Sequence, residues 1–168
     1  MKIRLNMLTV DDALLFHRLR LRSLREHPEA FGSAYEDELN SPQEKVMERF
    51  QGLPDRFIYG AWAAEQLVGF AGFWRYPGLK TRHRGGIGGM YVAPEVRGQG
   101  IGSALLAQLI EEARLLPGLE EITLAVTVGN MSARSIYLAA GFKPSHIEKR
   151  YIKFNERYYD IEWMTLFL

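Results

Sequence analysis

The chain has 168 residues, the length of one ordinary domain, and is 47% hydrophobic and 24% charged, as soluble globular proteins are. A net charge of +1 excludes an overall field that would draw it to nucleic acid or to an anionic membrane, and the lack of cysteine excludes disulfides and thiolate metal sites. No run approaches the roughly 20 apolar residues of a membrane helix, and Met1-Lys-Ile-Arg-Leu5 lacks the apolar core of a secretory leader. A single cytoplasmic domain over residues 1–168 is expected, with no nucleic-acid, membrane or metal partner.

Residues 2–7 alternate, with Ile3, Leu5 and Met7 on one side, which is the pattern of a half-buried strand. Thr9-Val-Asp-Asp12 reads as a helix start, with a capping hydroxyl and acids in the first turn. The helix runs through Leu14, Leu15, Leu19, Leu21 and Leu24 and stops at His27-Pro28. Its arginines, Arg18, Arg20, Arg22 and Arg25, are expected on a solvated side where their stems cover apolar surface. Residues 29–38 read as a loop rich in aromatic and acidic groups. Ser41-Pro-Gln-Glu44 then has capping-box spacing ahead of a second helix over residues 42–51.

Residues 57–64 and 67–74 are β-rich runs separated by Glu65-Gln66, a connection of hairpin length. The next strand, residues 83–92, holds Gly85, Gly86, Gly88 and Gly89, a density that points to a bulge or a close ligand approach rather than to packing. It leads into Arg97-Gly98-Gln99-Gly100-Ile101-Gly102-Ser103. Glycines at alternate positions tolerate positive φ and admit a ligand to the backbone. The turn opens a helix, whose free N–H groups and dipole favour a phosphate or pyrophosphate. Arg97 adds a planar cation. A P-loop would need Lys-Ser/Thr after the last glycine, and Ser103-Ala104 stands there. A dinucleotide fingerprint wants Gly or Ala at Ser103 and an acid closing the next strand, which ends Thr127-Val-Gly-Asn130, so a nicotinamide-dependent oxidoreductase is the weaker reading.

Ile101, Ala104, Leu105 and Leu109 repeat at helical spacing as far as Leu116-Pro117, and Ile122, Leu124, Val126 and Val128 alternate as a strand. Strand, glycine turn, helix and strand make a βαβ unit, which implies parallel pairing. Asn130 suits the cap of a short helix that stops near Gly141 and sets Ala133 and Tyr137 on one face. A closing strand pair is expected around residues 147–154 and 158–168.

Arg97-Gly-Gln-Gly100-Ile-Gly102 resembles the R/Q-x-x-G-x-G/A signature of the GCN5-related N-acetyltransferases, the GNAT family. The stretch from Asn130 to Phe142 matches that family's N-x-x-A-x-x-[IL]-Y-x-x-x-G-F at every fixed position, one helix and one strand downstream. The resemblance covers most of the chain. It implies an α/β (α+β) fold with a mixed, mostly antiparallel sheet of about seven strands, a splayed parallel pair and about four helices. It implies acetyl-CoA as coenzyme, its pyrophosphate on Arg97, Gly98, Gln99, Gly100, Ile101, Gly102 and Ser103 and its pantetheine along Met90, Tyr91 and Val92, with Asn130 also at the cofactor site. A bulged N–H of the glycine-rich strand then polarises the acetyl carbonyl, and Tyr137 resembles the general acid that reprotonates the thiolate.

By the same resemblance Phe31, Tyr35 and Glu36 face the substrate; otherwise they belong to a surface loop. Many family members carry a glutamate shortly before the position of Ile87, where this chain has Gly86. That leaves His83, Glu36, Asp160 or a water chain as base, or no base if the amine arrives neutral. The expected activity is acetyl transfer from acetyl-CoA to a primary amine of a small molecule or peptide. The aromatic, charged segment from Glu156 to Trp163 lines the acceptor pocket, pairs with a second subunit in a homodimer, or does both; otherwise its aromatics belong to the core. The alternative is a non-catalytic acyl-CoA-binding module of the same fold.

Overall fold

The alternating and β-rich runs form an antiparallel meander of β1 (Ile3–Met7), β2 (Arg56–Ala63), β3 (Gln66–Arg75) and β4 (Arg84–Val92). In this computed structural model, which describes residues 2–51 and 54–168, β5 (Glu121–Thr127) joins β4 in parallel. β7 (Arg157–Phe167) pairs antiparallel with β5, and β6 (Lys143–Phe154) lies on the outer edge, giving one sheet of order β1-β2-β3-β4-β5-β7-β6. The helices are α1 (Ala13–Glu26), α2 (Tyr35–Leu39), α3 (Gln43–Met47), α4 (Ile101–Arg114) and α5 (Met131–Ala139). The mixed, mostly antiparallel seven-stranded sheet with one parallel pair is the expected one. No helix among the described residues is long and apolar enough to cross a membrane.

The N-terminal helices differ from expectation in three ways. Asp12 accepts from the Thr9 N–H at 2.8 Å, closing one 3-10 turn before α1 begins at Ala13. Residues 35–38, expected as loop, belong to α2, whose first turn carries Glu36, Asp37 and Glu38 and so complements the helix dipole. The Ser41 hydroxyl donates back to the Asp37 carbonyl at 3.1 Å and does not cap the next helix, so the expected helix over 42–51 shrinks to α3 and a 3-10 turn, Glu48–Phe50. The chain therefore has five α-helices among its described residues where about four were expected.

Successive strand residues point to opposite faces, and β3 shows which helix covers which. Phe70 meets Phe16 of α1, with ring centroids 4.9 Å apart, while a Cβ at Gly69 would lie 3.5 Å from Leu105 of α4. Phe16, Leu19 and Leu24 bury one face of the sheet and Leu105, Leu106 and Leu109 the other. Leu14 and Leu15 fall on the solvent side of α1. Arg20 does not join the solvated arginine face, since only 9% of it is exposed. The hairpin connection is Ala64-Glu65, one residue earlier than read, with Ala64 at φ +51°.

Packing explains most of the glycines in β4, contrary to the expectation from sequence. A Cβ at Gly85 would stand 2.5 Å from the Phe73 ring, and one at Gly86 2.4 Å from the Trp74 ring, with Gly88 under the same indole at 3.0 Å. Two aromatic rings of β3 thus lie flat across the neighbouring strand, and bare backbone gives them room. Phe73 is fully buried and stacked on Phe57 at 4.9 Å, so it has nowhere to go. Gly85→Ala is expected to cost about 1–3 kcal/mol by overpacking. Gly72→Ala, whose nearest neighbour would be 3.6 Å away, serves as control. Thermal melts should show a fall of several degrees for the first and little change for the second; equal midpoints would refute the packing argument.

Candidate functional site

The parallel pair β4–β5 is joined only at Arg84↔Glu121, Gly85↔Ile122 and Gly86↔Thr123, although β4 continues to Val92 and β5 to Thr127. Beyond these positions the strands diverge. The cause lies on the other side of β4. Phe70 pairs with Tyr91 and Gly72 with Gly88, so Ala71 faces two residues, Gly89 and Met90. This is a bulge, with Gly89 at φ +64°, and a bulge bends and twists the strand that carries it. Gly89 is the one glycine of β4 whose backbone conformation itself calls for glycine. A cleft of about 810 Å³ opens where the strands part and runs to the glycine turn, a size usual for small-molecule sites.

At the cleft's far end, Gly98 and Gly100 have φ of +76° and +74°, and Gly100 is the N-cap of α4. The first N–H groups of α4 have no intrahelical acceptor and stand at the positive end of its dipole. Gly102 serves packing: a Cβ there would be 3.3 Å from Ile136 and 3.4 Å from Met90. Arg97 donates from Nε to the Val92 carbonyl at 2.9 Å and sits 3.0 Å from His27 Nε2. Beneath it, the Tyr91 hydroxyl donates to Glu26 at 2.6 Å, and burial, with that carboxylate, raises its pKa. Arg22 grips Glu95 through two bonds of 2.6 and 2.9 Å, tying α1 to the start of the turn.

Helix α5 forms another wall. Asn130 accepts from the Ala133 N–H at 3.2 Å, which makes it the expected N-cap. One and two turns on, Ala133 and Tyr137 both face the cleft. Tyr137 is 7% exposed, and burial pushes its hydroxyl pKa up to about 12. The phenol is therefore neutral and holds its proton throughout the physiological range.

The remaining wall comes from the segment after α1. His27, Glu29, Ala30 and Phe31 line the cleft. The Thr127 hydroxyl donates to the Glu29 carbonyl at 2.8 Å, pinning this segment to the end of β5. Of the residues singled out from sequence, the cleft gathers Phe31, Met90, Tyr91, Val92, Arg97, Gly98, Gly100, Ile101, Gly102, Ser103, Asn130 and Tyr137. Gln99, Tyr35 and Glu36 lie outside its lining. Tyr35 instead packs near the Arg25 guanidinium at 5.8 Å. His83 and Asp160 are also outside the lining. The Asp160 carboxylate accepts from the Arg150 N–H and from Lys149, which hold it below the usual carboxylate range.

The cleft contains groups that sequence reading passed over, His27, Glu29 and the end of β5, and it takes Tyr159 from the C-terminal aromatic segment. His27-Pro28 registered only as a helix stop. Its second meaning, that a chain turned sharply there must cross the open end of β5, depends on the fold. Glu29 is the one carboxylate of the lining among the described residues. The place of a strand-borne acid at Gly86 is filled by the Trp74 ring.

A family model described as the acetyltransferase (GNAT) family matches residues 20–142. The fold is similar to that of the acetyltransferase of GNAT family from Streptococcus pneumoniae, with 18% identity, 99% of this chain and 100% of that one covered, and a TM-score of 0.89. It is similar to a putative acetyltransferase from Salmonella typhimurium solved with its cofactor acetyl-CoA, at 17% identity, 98% and 93% coverage and a TM-score of 0.85. A ribosomal-protein-alanine N-acetyltransferase from Brucella melitensis gives 23% identity, full coverage of both chains (100% and 100%) and a TM-score of 0.77.

Proposed function

Because the chain belongs to the GNAT acetyltransferase family and acetyl-CoA is its acyl donor, we propose that it transfers the acetyl group to a primary amine of a small molecule or peptide. The observation that carries this reading is the splayed β4–β5 pair, which opens a cleft lined by the N-terminus of α4, just after the positive-φ Gly98 and Gly100, and by Tyr137. The residues present fit the donor. The N–H groups opening α4 suit its pyrophosphate, with Arg97 beside them, and the β4 edge released from β5 suits its amides.

The donor supplies a thioester carbonyl and a thiol leaving group. The chain's part is to polarise the carbonyl, free the amine of its proton and return a proton to sulfur. The Gly89-Met90 bulge lies on the stretch of β4 that β5 leaves unpaired, and its N–H groups are the donors for the oxygen on which negative charge grows. Tyr137 gives its phenolic proton to sulfur. Glu29, the carboxylate of the cleft, takes the ammonium proton directly or through one water.

The reading is tested by incubating the protein with acetyl-CoA and a panel of primary amines and following free thiol. Thiol release with N-acetylated product supports it, whereas coenzyme binding without release would favour the non-catalytic module. Glu29→Gln is expected to lower turnover about a hundredfold near neutral pH. The deficit should shrink as pH approaches ~10.4, where an alkylamine loses its proton unaided. A deficit that stays constant with pH would exclude Glu29 as the base.

A further inference from the structure

We propose that the amine accepted here carries a carboxylate, and that Arg20 binds it; the proposal rests on the acetyl-transfer reading above. Arg20 projects from α1 into the protein and is only 9% exposed. Its Nη2 lies 3.5 Å from Glu38, but the other Glu38 oxygen accepts from Arg49 at 2.9 Å, so two guanidinium groups share one carboxylate. His17, one turn before Arg20 on α1, has its pKa lowered by burial and offers no countercharge. The cluster thus holds one uncompensated positive charge.

Arg20 Nη1 is shielded from solvent and has no hydrogen-bond partner among the described residues. A buried cationic donor without an acceptor is costly, and structures retain one where something else satisfies it.

The orphaned donor borders the cleft. It lies 3.9 Å from where a Cβ of Gly89 would stand, and the guanidinium is 4.9 Å from the centre of the Phe31 ring. Gly89 and Phe31 both line the cleft. Binding requires the Phe31 ring to turn off the guanidinium, which would uncover Nη1 next to the bulge. In an α-amino acid the carboxylate carbon is about 2.5 Å from the amine nitrogen. An amine addressing a carbonyl held at the bulge therefore carries its carboxylate to the Gly89 side. Glu29, two residues before Phe31, lines the same cleft, its carboxylate 3.7 Å from His27 Nδ1, and is the group that would take the ammonium. The wall thus offers one negative and one positive group to a zwitterion. The same carboxylate chemistry could come from a free amino acid or from an acidic side chain near a peptide N-terminus.

The test compares the common α-amino acids, tested singly, with their α-amides and with peptides acidic at the second residue. Binding to the protein saturated with CoA is measured by calorimetry, and turnover by thiol release. The wild type should favour the best acid over its amide by about ten- to a hundredfold. Arg20→Gln should bring that ratio close to one, and Arg20→Lys should restore part of it. CoA affinity reports whether each variant is folded. If Arg20→Gln fails to fold, the wild-type ratio alone decides. A wild-type ratio near one, no binding of any acid, or a ratio that survives Arg20→Gln overturns the assignment. Preference for acidic peptides over free amino acids keeps Arg20 in its role and names the source. Acid-selective binding without thiol release would retain the Arg20 site and sink acetyl transfer, whereas thiol release blind to the carboxylate would do the reverse.

Discussion

Tyr137→Phe is expected to lower kcat by about a hundred- to a thousandfold while changing acetyl-CoA affinity by no more than about twofold. The substitution removes one oxygen and leaves the ring, which packs edge-on to Phe142 at 6.2 Å, so the α5 wall is preserved. In the proposed reaction the lost oxygen is the proton source for the departing sulfur. A phenol pushed up to about 12 looks too weak for that task only if the thiol is taken at its value in water. A thiol held beside that phenol is raised for the same reason, since burial disfavours the anion in both cases. The two groups stay matched, and proton transfer between them remains near balance. The high value also means that the acid form persists, so the kcat profile should show no alkaline fall attributable to Tyr137 until pH nears 12. Turnover by thiol release and coenzyme affinity by calorimetry separate the roles. Undiminished kcat would remove Tyr137 from the chemistry, and a large loss of affinity with unchanged kcat would recast it as a binding residue.

Gly100→Val is expected to weaken acetyl-CoA binding by about a hundredfold or more, an effect on the scale of two charge-assisted hydrogen bonds. Gly100 sits at φ +74° at the cap of α4, where a Cβ would meet no protein atom within 4 Å. The fold has space for a side chain, so the penalty falls elsewhere. A β-branched residue in the left-handed region costs about 1–3 kcal/mol and relaxes by turning the peptide planes that would form the proposed anion site. Calorimetry with acetyl-CoA gives the affinity, and circular dichroism checks that the helix persists. Near-normal affinity would show that the anion rests on Arg97 and the side chains rather than on the backbone of the turn.

The parts of the fold most legible from sequence were those governed by local periodicity. The meander, α4, β5 and α5 each follow from spacing and end signals, and Asn130 and Gly141 bracket α5 as their chemistry dictates. The glycine turn was legible because its geometry is local: positive φ, a helix start and an arginine lie within a few residues. What escaped depends on approach between distant segments. Gly85, Gly86 and Gly88 look like a ligand track in sequence, yet they are the space beneath Phe73 and Trp74, set by register across strands. Arg20 reads as one of several solvated arginines, and nothing local reveals that Glu38, Phe31 and Gly89 converge on it. Glu29 becomes a cleft residue only because Thr127, nearly a hundred positions away, holds its carbonyl.

The short parallel seam has a mechanical consequence. Four strands stand on one side of it and three on the other, and only three residue pairs cross between them, all at one end. The sheet is a pair of leaves hinged at Arg84–Gly86, with their free margins at Val92 and Thr127. A ligand whose amides bond the free margin acts as a filler strand and makes the two leaves continuous. Part of its binding energy then becomes cohesion of the protein, about 2.7 kcal/mol when the ligand is a hundredfold above its dissociation constant. The donor is in this sense a structural member as well as a reagent.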